Sequence, residues 1–483
     1  MDTSTYIGVC GAGAMGAGIA QVAATAGHSI IVFDRDEAAL SRGKASLEKG
    51  AKALLSRGKI SEDEATAIES RVTWTTDLTT LAPCGLVIEA IIERADIKIE
   101  LFESLAKTLK PSATIASNTS SLSITDLAKN LTRPSHFIGL HFFNPAPIMK
   151  LVEVVSGNET DPDRAKEALN LMQAWGKVAV TVKDVPGFIV NRIARPFYAE
   201  GWHAFENKIA DAVTIDHLYR ALAGFKMGPL ELGDLIGHDI NNAAARSIYD
   251  AYEGKTRFRP SALQASYVEK GTLGRKTGEG VYTYGENAPS PQLVTIDPAT
   301  NSNDHMQEEN AYLMSFLTNK NAPEEDAFIL FEDVLIGYSN GKTAATLKKD
   351  FKHPVLVLDW MKNPKETDYI AVAASCETAK KVLPNLATAL RKKIILIEDQ
   401  SGMIVLRTLL QLLNAAMDGL ADTIAPKEDI DLAMQNGANY PFGPIAWGQG
   451  YGLDTAITAL TNIMEETKDP LYKPSDALLD MAN

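Results

Sequence analysis

Cysteines are scarce in this chain, and it has neither a long apolar run nor an excess of positive charge. The three cysteines, Cys10, Cys84 and Cys376, are widely separated and form no metal-ligand pattern, so we expect no metal site and a reducing compartment. No apolar run reaches the roughly 18 to 20 residues of a membrane span. Because an apolar strand pattern begins within a few residues of Met1, we expect no signal or transit peptide and a cytoplasmic location.

Net charge, composition and length further restrict the class of protein. With a net charge of −14, the chain is not expected to bind nucleic acid. Its hydrophobic fraction of 45% and charged fraction of 22% are ordinary for a soluble globular protein. At 483 residues it is too long for one hydrophobic core, which predicts about three or four structural units.

The stretch 139–155, GLHFFNPAPIMKLVEVV, predicts a β-hairpin. Apolar, β-prone residues flank Asn144-Pro145-Ala146-Pro147, a polar break with two prolines that is typical of a tight reversal. If the reversal is centred on residue 147, residue numbers that pair across the strands sum to 2 × 147 = 294, which places His141 opposite Glu153. Side chains opposed in this way have Cβ atoms about 4.5 to 5.5 Å apart.

This pairing suggests an acid/base device. The Glu153 carboxylate could accept a hydrogen bond from one imidazole nitrogen of His141 and leave the other nitrogen free as a base. The same two residues could also form an ordinary structural pair across two strands. These residues alone leave both interpretations open.

The N-terminal residues predict a dinucleotide site. An apolar strand at 6–10 is followed directly by Gly11-Ala12-Gly13-Ala14-Met15-Gly16 and then by a helical pattern that runs to Gly27. Glycines at this spacing allow a tight turn and let a pyrophosphate approach the helix N-terminus. A second apolar strand ends in Asp34, at the spacing where an acidic group takes the adenosine ribose hydroxyls.

The residue at the end of that second strand bears on the choice of cofactor. Asp34 favours NAD over NADP, because a carboxylate would repel a 2′-phosphate. Arg35, beside it, is the one residue that argues for NADP. We therefore expect NAD.

Residues 36–71 predict a long helical insertion with a basic middle. Between Arg42 and Lys59, six cations stand against one acid, a local excess of 6 − 1 = +5 in an acidic protein. Such a patch could bind the phosphates of a large anionic substrate such as coenzyme A, with Lys44 and Lys52 as candidate contacts. A solvated helix face explains the same charges equally well.

Three further stretches carry polar residues at places where ligands bind. Strand 113–116 leads into Ser117-Asn118-Thr119-Ser120-Ser121, at what would be the carboxyl edge of a parallel sheet. That run could equally cap a helix that begins near Ser123. After Val185-Pro186-Gly187 the pattern turns helical, and 274–280, GRKTGEG, is either a turn or a nucleotide contact.

Taken in order, these motifs resemble the L-3-hydroxyacyl-CoA dehydrogenase family over residues 6 to about 285. The matching stretches are the GAGAMG turn with Asp34, IEAIIE at 88–93, SNTSS, HFFNP with Glu153, PGFIVNR and GRKTGEG. The resemblance implies an α/β Rossmann domain, an all-α domain that shapes the cleft, and NAD-dependent oxidation of a 3-hydroxyacyl-CoA. Over the whole length it points to long bacterial members, including those of aromatic-acid catabolism that oxidise 3-hydroxyadipyl-CoA or 3-hydroxybutyryl-CoA.

The resemblance also implies roles for single residues. His141 would be the catalytic base and Glu153 its orienting partner. Ser120 and Asn191 would position substrate and His141. Together with the glycine turn, the expected cofactor contacts are Gly11, Gly13, Ala14, Met15, Gly16, Asp34, Glu93, Lys98, Ser120, Asn144 and Lys276. A dehydrogenase of a free 3-hydroxy acid and a non-catalytic NAD-binding relative remain as alternatives.

The second half of the chain repeats the helical part. Residues 184–192 align with 399–407, an offset of 399 − 184 = 215, and the Gly-Pro pair at 228 recurs at 443 with the same offset. The copy has Leu406 in place of Asn191, so it lacks the polar group that the first copy offers to substrate. Between the copies, strand patterns predict a small degenerate α/β unit without a dinucleotide motif, and Gly337–Thr343 comes within one residue of a P-loop but is too short. The strand patterns lie at 327–331, 355–358, 369–373 and 393–397.

We therefore expect four domains. These are an NAD-binding Rossmann domain (1–184), a helical domain (185–285), a degenerate small α/β domain (286–398) and a second helical copy (399–483). Two-domain relatives dimerise through the helical domain, so the second copy could take the partner's place in an internal pseudo-dimer, or the chain could form a homo-oligomer. An acyl-CoA is the expected partner, and the sequence does not choose its acyl group.

Overall fold

The computed structural model describes residues 2–286, 288–299, 305–318 and 327–482. The chain divides into two compact units. The first comprises Met1–Val190 with Thr423–Ala438, and the second comprises Asn191–Asp422 with Asn439–Asn483. A short piece of the second helical copy therefore belongs to the same unit as the N-terminal sheet.

The first unit contains one eight-stranded sheet. Its strands are β1 (Ile7–Cys10), β2 (Ile30–Phe33), β3 (Val72–Thr75), β4 (Leu86–Glu89), β5 (Thr114–Ser117), β6 (Phe137–Phe142), β7 (Leu151–Ser156) and β8 (Val178–Lys183). They lie in the order β3-β2-β1-β4-β5-β6-β7-β8, and every neighbouring pair is parallel except β6 and β7. This is the Rossmann arrangement, which confirms the α/β N-terminal domain that the sequence predicts.

Helices connect these strands. They are α1 (Ala14–Thr25), α2 (Glu37–Ser56), α3 (Glu62–Ser70), α4 (Ala95–Thr108), α5 (Ile124–Ala128), α6 (Pro162–Ala174) and, from the second helical copy, α18 (Lys427–Gly437). The predicted insertion is thus two helices, because Gly58 takes a positive φ of 64° and Ser61 starts α3 with a capping box to Glu64. β1, β2, β4 and β5 are buried along their whole length, as parallel strands covered on both faces must be.

The predicted hairpin is present with the predicted register. Gly139 pairs with Val155 and His141 with Glu153 in an antiparallel ladder, so paired residue numbers sum to 294. The expected tight reversal is wrong, since residues 143–150 form a longer connection with a cis peptide bond between Asn144 and Pro145.

The second unit carries the remaining helices. They are α7 (Val190–Ile193, which begins one residue before this unit), α8 (Arg195–Glu206), α9 (Ala212–Leu218), α10 (Pro229–Ile236), α11 (His238–Ala251), α12 (Ala262–Lys270), α13 (His305–Thr318), α14 (Ala344–Phe351), α15 (Glu377–Lys380), α16 (Leu383–Leu390), α17 (Val405–Ala421), α19 (Pro444–Tyr451), α20 (Leu453–Thr467) and α21 (Asp476–Ala482). The α8 and α17 helices, one from each copy, pack against each other. Both stretches that the sequence predicts to be helical therefore carry helices.

A small mixed sheet completes the second unit. Its strands are β9 (Phe328–Phe331), β10 (Val334–Tyr338), β11 (Val355–Leu358), β12 (Tyr369–Ala374) and β13 (Lys393–Ile397), in the order β13-β12-β11-β10-β9. The four predicted strands occur within a residue or so of their expected ends. β10 was not predicted, because its C-terminal residues overlap the apparent P-loop. In the structure Thr343 of that stretch caps α14, and Lys342 pairs with Asp350.

The two copies bury polar contacts against each other inside the second unit. Arg407 donates to Glu200 over 2.8 Å, and both side chains are buried. The hydroxyls of Tyr219 and Thr408 are 2.6 Å apart. Buried pairs of this kind fix the register of an interface, because leaving either partner alone would cost several kcal/mol.

Each of the two sheets is bonded to one copy of the helical repeat through an equivalent backbone hydrogen bond. Lys183 N–H donates to the carbonyl of Ile424 at 2.8 Å, and Glu398 N–H donates to that of Ile209 at 3.0 Å. The two donors differ by the repeat offset, 398 − 183 = 215, and so do the two acceptors, 424 − 209 = 215. Each copy of the helical repeat thus uses the same backbone contact on a different sheet.

Asp359 ties the small sheet to α17. Its carboxylate is fully buried and accepts the backbone N–H groups of Ile404, Val405 and Leu406 at 2.7 to 3.0 Å. Burial outweighs these hydrogen bonds and raises the pKa of Asp359 to about 6. Since this is above the unfolded value of about 3.9, the folded state holds the proton more tightly and is destabilised as the pH rises.

We predict that Asp359→Asn flattens this pH dependence. Between pH 5 and pH 7 the free energy of unfolding of the second unit should fall by about 1 kcal/mol more in the unaltered protein than in the variant. Denaturant titrations at both pH values measure the difference. The exposed Asp250→Asn variant is the control, and equal pH slopes for the unaltered protein and Asp359→Asn would contradict the assignment.

Candidate active site

The β6–β7 ladder brings His141 and Glu153 into direct contact. Nδ1 of His141 lies 2.6 Å from Oε2 of Glu153, and the residues are 6% and 0% exposed. Because a carboxylate only accepts hydrogen bonds, Nδ1 carries the proton and Nε2 is left as a base. Of the two interpretations that the sequence left open, this geometry satisfies the requirements of the acid/base device.

Glu153 is itself held by the start of the next helix. Its Oε1 accepts the backbone N–H groups of Ile189 and Val190, each at 3.0 Å. These two hydrogen bonds to backbone N–H groups stabilise the negative charge of Glu153. The carboxylate therefore fixes the imidazole from one side and is fixed by the backbone from the other.

Aromatic rings enclose the imidazole. The ring centres of Phe143 and Phe188 lie 4.5 and 5.7 Å from that of His141. Phe188 has a positive φ of 47°, a backbone conformation that a bulky residue rarely adopts. Strain of this kind is often found beside functional sites.

The glycine turn has the geometry that a pyrophosphate requires. Gly11 has a φ of +104°, and a Cβ at Gly16 would come within 1.8 Å of the Gly11 carbonyl oxygen, so both positions need glycine. A Cβ at Gly13 would meet nothing within 4 Å, which leaves that side open to a ligand. α1 begins after Gly13 without a side-chain cap, so N–H groups at its start are available to an anion.

Asp34 stands at the end of β2 as the sequence predicts. Its Oδ2 accepts the N–H of Ala12 at 2.8 Å and its Oδ1 that of Asp36 at 3.0 Å. These bonds hold the carboxylate beside the glycine turn. Carboxylates in this position accept the ribose hydroxyls of a dinucleotide.

Three of the predicted cofactor contacts, Glu93, Lys98 and Ser120, are linked to one another through the Glu93 carboxylate. Oε1 of Glu93 accepts the N–H of Ser120 at 3.0 Å and the hydroxyl of Thr119 at 2.6 Å, and Oε2 lies 3.2 Å from Nζ of Lys98. Burial acts to raise the pKa of Glu93, but the Thr119 hydrogen bond and the Lys98 charge outweigh it and lower that pKa. The loop that carries Ser120 is thereby tied to the loop after β4.

The polar residues after β5 have different roles. Ser123 caps α5 by accepting the N–H of Asp126 at 3.1 Å, as one of the two interpretations of this run expected. Ser121 instead donates its hydroxyl to Glu93 at 3.1 Å, and Asn118 accepts the N–H of Phe142 at 2.8 Å. The run thus supports both the helix and the loops around Glu93.

Two residues near this site were missed by sequence reasoning. Glu89, fully buried at the end of β4, accepts the N–H of Ile91 at 2.7 Å and also contacts Lys98. Lys177 donates to the carbonyls of Ala146 at 2.5 Å and Met149 at 2.8 Å, so it holds the β6–β7 connection. Burial lowers its pKa to about 8. A charged residue in an otherwise apolar strand pattern is the signal that could have found both.

The remaining predicted residues lie apart from this cluster or in the second unit. Lys44 and Lys52 are exposed on α2, and Asn144 is exposed in the β6–β7 connection. Asn191, in the second unit, accepts Nε–H of Arg195 through its backbone carbonyl at 2.7 Å. Lys276, also in the second unit, lies 2.5 Å from Asp239.

The described ranges contain neither a candidate metal site nor a candidate membrane span. No group of three or more His, Cys, Asp or Glu side chains there could hold a metal ion. No helix in the same ranges combines the length and apolar character of a membrane span.

We predict that alanine at Gly13 and alanine at Gly16 have different effects, because a Cβ has free space only at Gly13. Gly13→Ala should leave the melting temperature unchanged but weaken NAD binding at least about tenfold, because its methyl group would occupy the place of the pyrophosphate. Gly16→Ala should lower the melting temperature, because its methyl group overlaps the Gly11 carbonyl. Thermal melts and calorimetric NAD titrations measure both effects, and unchanged NAD affinity in Gly13→Ala would remove the turn from the cofactor site.

Comparison with known proteins matches three stretches of the chain to named domains. The NAD-binding domain of 3-hydroxyacyl-CoA dehydrogenase matches residues 6–185, and its C-terminal domain matches 187–284 and again 402–483. The reduced Rossmann-fold domain of 3-hydroxybutyryl-CoA dehydrogenase matches 336–394. The second helical match confirms the repeat.

Individual relatives extend over part or all of the chain. The 3-hydroxyadipyl-CoA dehydrogenase of Escherichia coli K12 is 37% identical over 99% of this chain and 97% of its own length. A probable 3-hydroxybutyryl-CoA dehydrogenase of Deinococcus radiodurans is 42% identical over 57% of this chain and 99% of its own.

Solved structures agree with these relatives. The crystal structure of 3-hydroxybutyryl-CoA dehydrogenase from Escherichia coli K12 covers 100% of this chain and 98% of its own, with 37% identity and a TM-score of 0.91. That of (S)-3-hydroxybutyryl-CoA dehydrogenase from Ralstonia eutropha covers 59% of this chain and 100% of its own, with 36% identity and a TM-score of 0.57. The chain, with its paired His141 and Glu153, therefore belongs to the 3-hydroxyacyl-CoA dehydrogenase family.

Proposed function

We propose that this protein is an enzyme that oxidises the 3-hydroxyl of a 3-hydroxyacyl-CoA to the 3-keto group with NAD. The observation that carries the proposal is the buried contact between His141 Nδ1 and the Glu153 carboxylate, at 2.6 Å. A binding protein has no need to fix an imidazole tautomer in this way. The glycine turn and Asp34 in the same unit supply the features of a dinucleotide site.

The chemistry follows from the tautomer. Nε2 of His141 takes the proton of the 3-hydroxyl, and the neutral imidazole becomes an imidazolium. Glu153 stabilises that new charge through Nδ1–H, while Ile189 and Val190 keep the carboxylate in place. Bound NAD supplies the acceptor for the hydride that leaves C3. In the reverse direction the His141 imidazolium returns the proton.

The loops around Glu93 have a positioning role in this proposal. Glu93 and Lys98 hold the backbone and hydroxyl groups of the loop that carries Ser120. We assign Ser120 and Asn191 to substrate positioning, and Asn144 and Lys276 to the cofactor, by the family pattern. The Lys44 and Lys52 ammonium groups, exposed on α2, are our candidates for the phosphates of coenzyme A.

The acyl group follows from the relatives only as a proposal. The 37% identical full-length relative is named for 3-hydroxyadipyl-CoA and the structural relatives for 3-hydroxybutyryl-CoA. We propose a short 3-hydroxyacyl group of this range as substrate, with the protein acting in the cytoplasm.

We infer that the small sheet is a reduced copy of the second half of the Rossmann sheet. Asp359 N–H donates to the Ala371 carbonyl, which puts Asp359 opposite Ala371 as His141 is opposite Glu153. Asp359 then binds the start of α17, the task that Glu153 performs at the start of α7. The copy keeps the bond between sheet and helix and lacks both catalytic side chains.

The contacts between the helical copies support an internal pseudo-dimer. The Arg407–Glu200 pair and the Tyr219–Thr408 contact occupy, within one chain, an interface between two repeats. We propose that the second copy takes the place of a partner subunit.

We predict that His141→Gln loses about 10²- to 10⁴-fold in kcat, because no base takes the hydroxyl proton, while NAD binds as before. Steady-state rates of NADH formation and calorimetric NAD titrations measure the two effects. His28→Gln, at another buried histidine of the first unit, is the matched control and should stay active. Near-normal turnover of His141→Gln would exclude His141 from the mechanism.

Substrates with and without the CoA moiety test the function itself. We expect NADH to be consumed with acetoacetyl-CoA and not with free acetoacetate, because CoA phosphates contribute binding that the free acid lacks. Absorbance of NADH follows both reactions. Equal rates with the two compounds would favour a dehydrogenase of free hydroxy acids, and no rate with either would favour a non-catalytic relative.

A further inference from the structure

One ammonium group faces two carboxylates at the carboxyl edge of the first sheet. Nζ of Lys98 contacts Oε1 of Glu89 and lies 3.2 Å from Oε2 of Glu93. The side chains of Lys98 and Glu89 are 1% and 0% exposed, whereas that of Glu93 is 38% exposed. This charged triad (Glu89, Lys98 and Glu93) has a net charge of 1 − 2 = −1. Arg94 and Asp96, close by in the chain, pair with each other at 2.5 Å and add no net charge.

The sheet fixes the buried end of the charged triad. Glu89, the last residue of β4, accepts the N–H of Ile91 at 2.7 Å, and its other oxygen accepts the hydroxyl of Ser117, the last residue of β5, at 2.6 Å. Its contact with Lys98 is the ion pair that a buried carboxylate requires. Since Lys98 is paired with Glu89 inside the fold, the net negative charge of the triad falls on its exposed member, Glu93.

The exposed end of the charged triad is linked to the proposed base. Oε1 of Glu93 accepts the hydroxyl of Thr119 at 2.6 Å. The preceding residue, Asn118, accepts the N–H of Phe142, the neighbour of His141, at 2.8 Å. Burial acts to raise the pKa of Glu93, but the Thr119 hydrogen bond and the Lys98 charge lower it, so the carboxylate is ionised at neutral pH.

The order of the strands indicates which half of the cofactor is near this charge. Strands β2, β1, β4, β5 and β6 are successive neighbours, with Asp34 after β2 and His141 near the end of β6. In the proposed function Asp34 binds the adenosine ribose, and the hydride leaves a carbon next to His141, so the nicotinamide lies toward β6. Glu93, bonded to the loop after β5, is therefore on the nicotinamide side.

The nicotinamide ring is the part of the cofactor whose charge changes in the reaction. It is positive in NAD and neutral in NADH, because the hydride brings two electrons to it. A fixed negative charge stabilises the positive form of the ring and has little effect on the neutral form. Two unit charges about 4 Å apart change an equilibrium constant about fivefold in water, and more in a partly buried site.

We propose that the net negative charge of the charged triad shifts the preference of the cofactor site toward oxidised NAD and away from NADH. The inference rests on the proposed function and adds how the site distinguishes the two forms of its cofactor. Its consequence is that NAD readily replaces NADH after each oxidation, which limits inhibition by the product.

Calorimetric titrations with NAD and with NADH test the proposal through the ratio of the two dissociation constants. Glu93→Gln should raise the Kd of NAD relative to that of NADH at least about fivefold, because the amide oxygen still accepts from Thr119 and Ser120 but carries no charge. Glu93→Asp keeps the charge and should change this ratio less than about twofold. Loss of loop order alone weakens both forms alike and leaves the ratio unchanged.

The buried members of the charged triad allow a second test. Glu89→Gln leaves Lys98 to neutralise Glu93, so it should raise the ratio in the same direction as Glu93→Gln. Combining Glu89→Gln with Lys98→Met restores the net charge of −1 and should return the ratio to that of the unaltered enzyme. Glu103→Gln, which removes one exposed carboxylate from α4, is the control and should leave the ratio unchanged.

Three results would overturn the proposal. These are an unchanged ratio in Glu93→Gln, an unchanged ratio in Glu89→Gln, and a ratio in the double variant as high as that in Glu89→Gln. If the variants do not fold, the unaltered enzyme still tests the charge, because added salt screens the partly exposed Glu93 and should raise the ratio. A ratio that does not respond to salt would then overturn the proposal.

These titrations also separate this inference from the proposed function. Binding of both NAD and NADH with ratios that do not respond to the charge of the triad would reject the inference and leave the proposed function standing. Binding of neither form by the unaltered protein would reject both.

Discussion

The carboxylate of Glu153 is the group on which the geometry of the proposed catalytic pair depends. One oxygen orients His141 and the other accepts the first N–H groups of the helical segment at Ile189 and Val190. A buried carboxylate destabilises the fold unless both of its oxygens are hydrogen-bonded. Loss of either contact of Glu153 would therefore also weaken the other. The acid/base pair and the end of the first unit are for that reason held by a single group.

The small sheet shows the same constraint without the chemistry. Asp359, which lies opposite Ala371 as His141 lies opposite Glu153, accepts three backbone N–H groups at the start of α17. The hydrogen bond between a strand-end carboxylate and a helix start is therefore separable from catalysis. We read this as a structural requirement of the sheet-to-helix junction in both sheets.

Local patterns predicted much of this molecule. The glycine turn, Asp34, the hairpin register that pairs His141 with Glu153, and the repeat offset of 215 follow from spacing alone. β10 did not, because its end overlaps the apparent P-loop, and the bond network of Glu89 did not, because it depends on contacts with residues 98 and 117 on other segments. Lys177 shows the same limit, since its charge is visible in the sequence but the backbone carbonyls of Ala146 and Met149 that it bonds are not.

α18 belongs to the second helical copy in sequence but to the first unit in the structure. This restricts where the chain can be truncated. Thr181, on β8, donates both its N–H and its hydroxyl to Asp429, at 3.0 and 2.9 Å, so the edge of the Rossmann sheet is completed by residues more than two hundred positions away. A truncation that ends after the first helical domain would expose the β7–β8 surface that α18 covers. In this chain the half that corresponds to the shorter relatives of the family therefore has part of its sheet covered by the second helical copy.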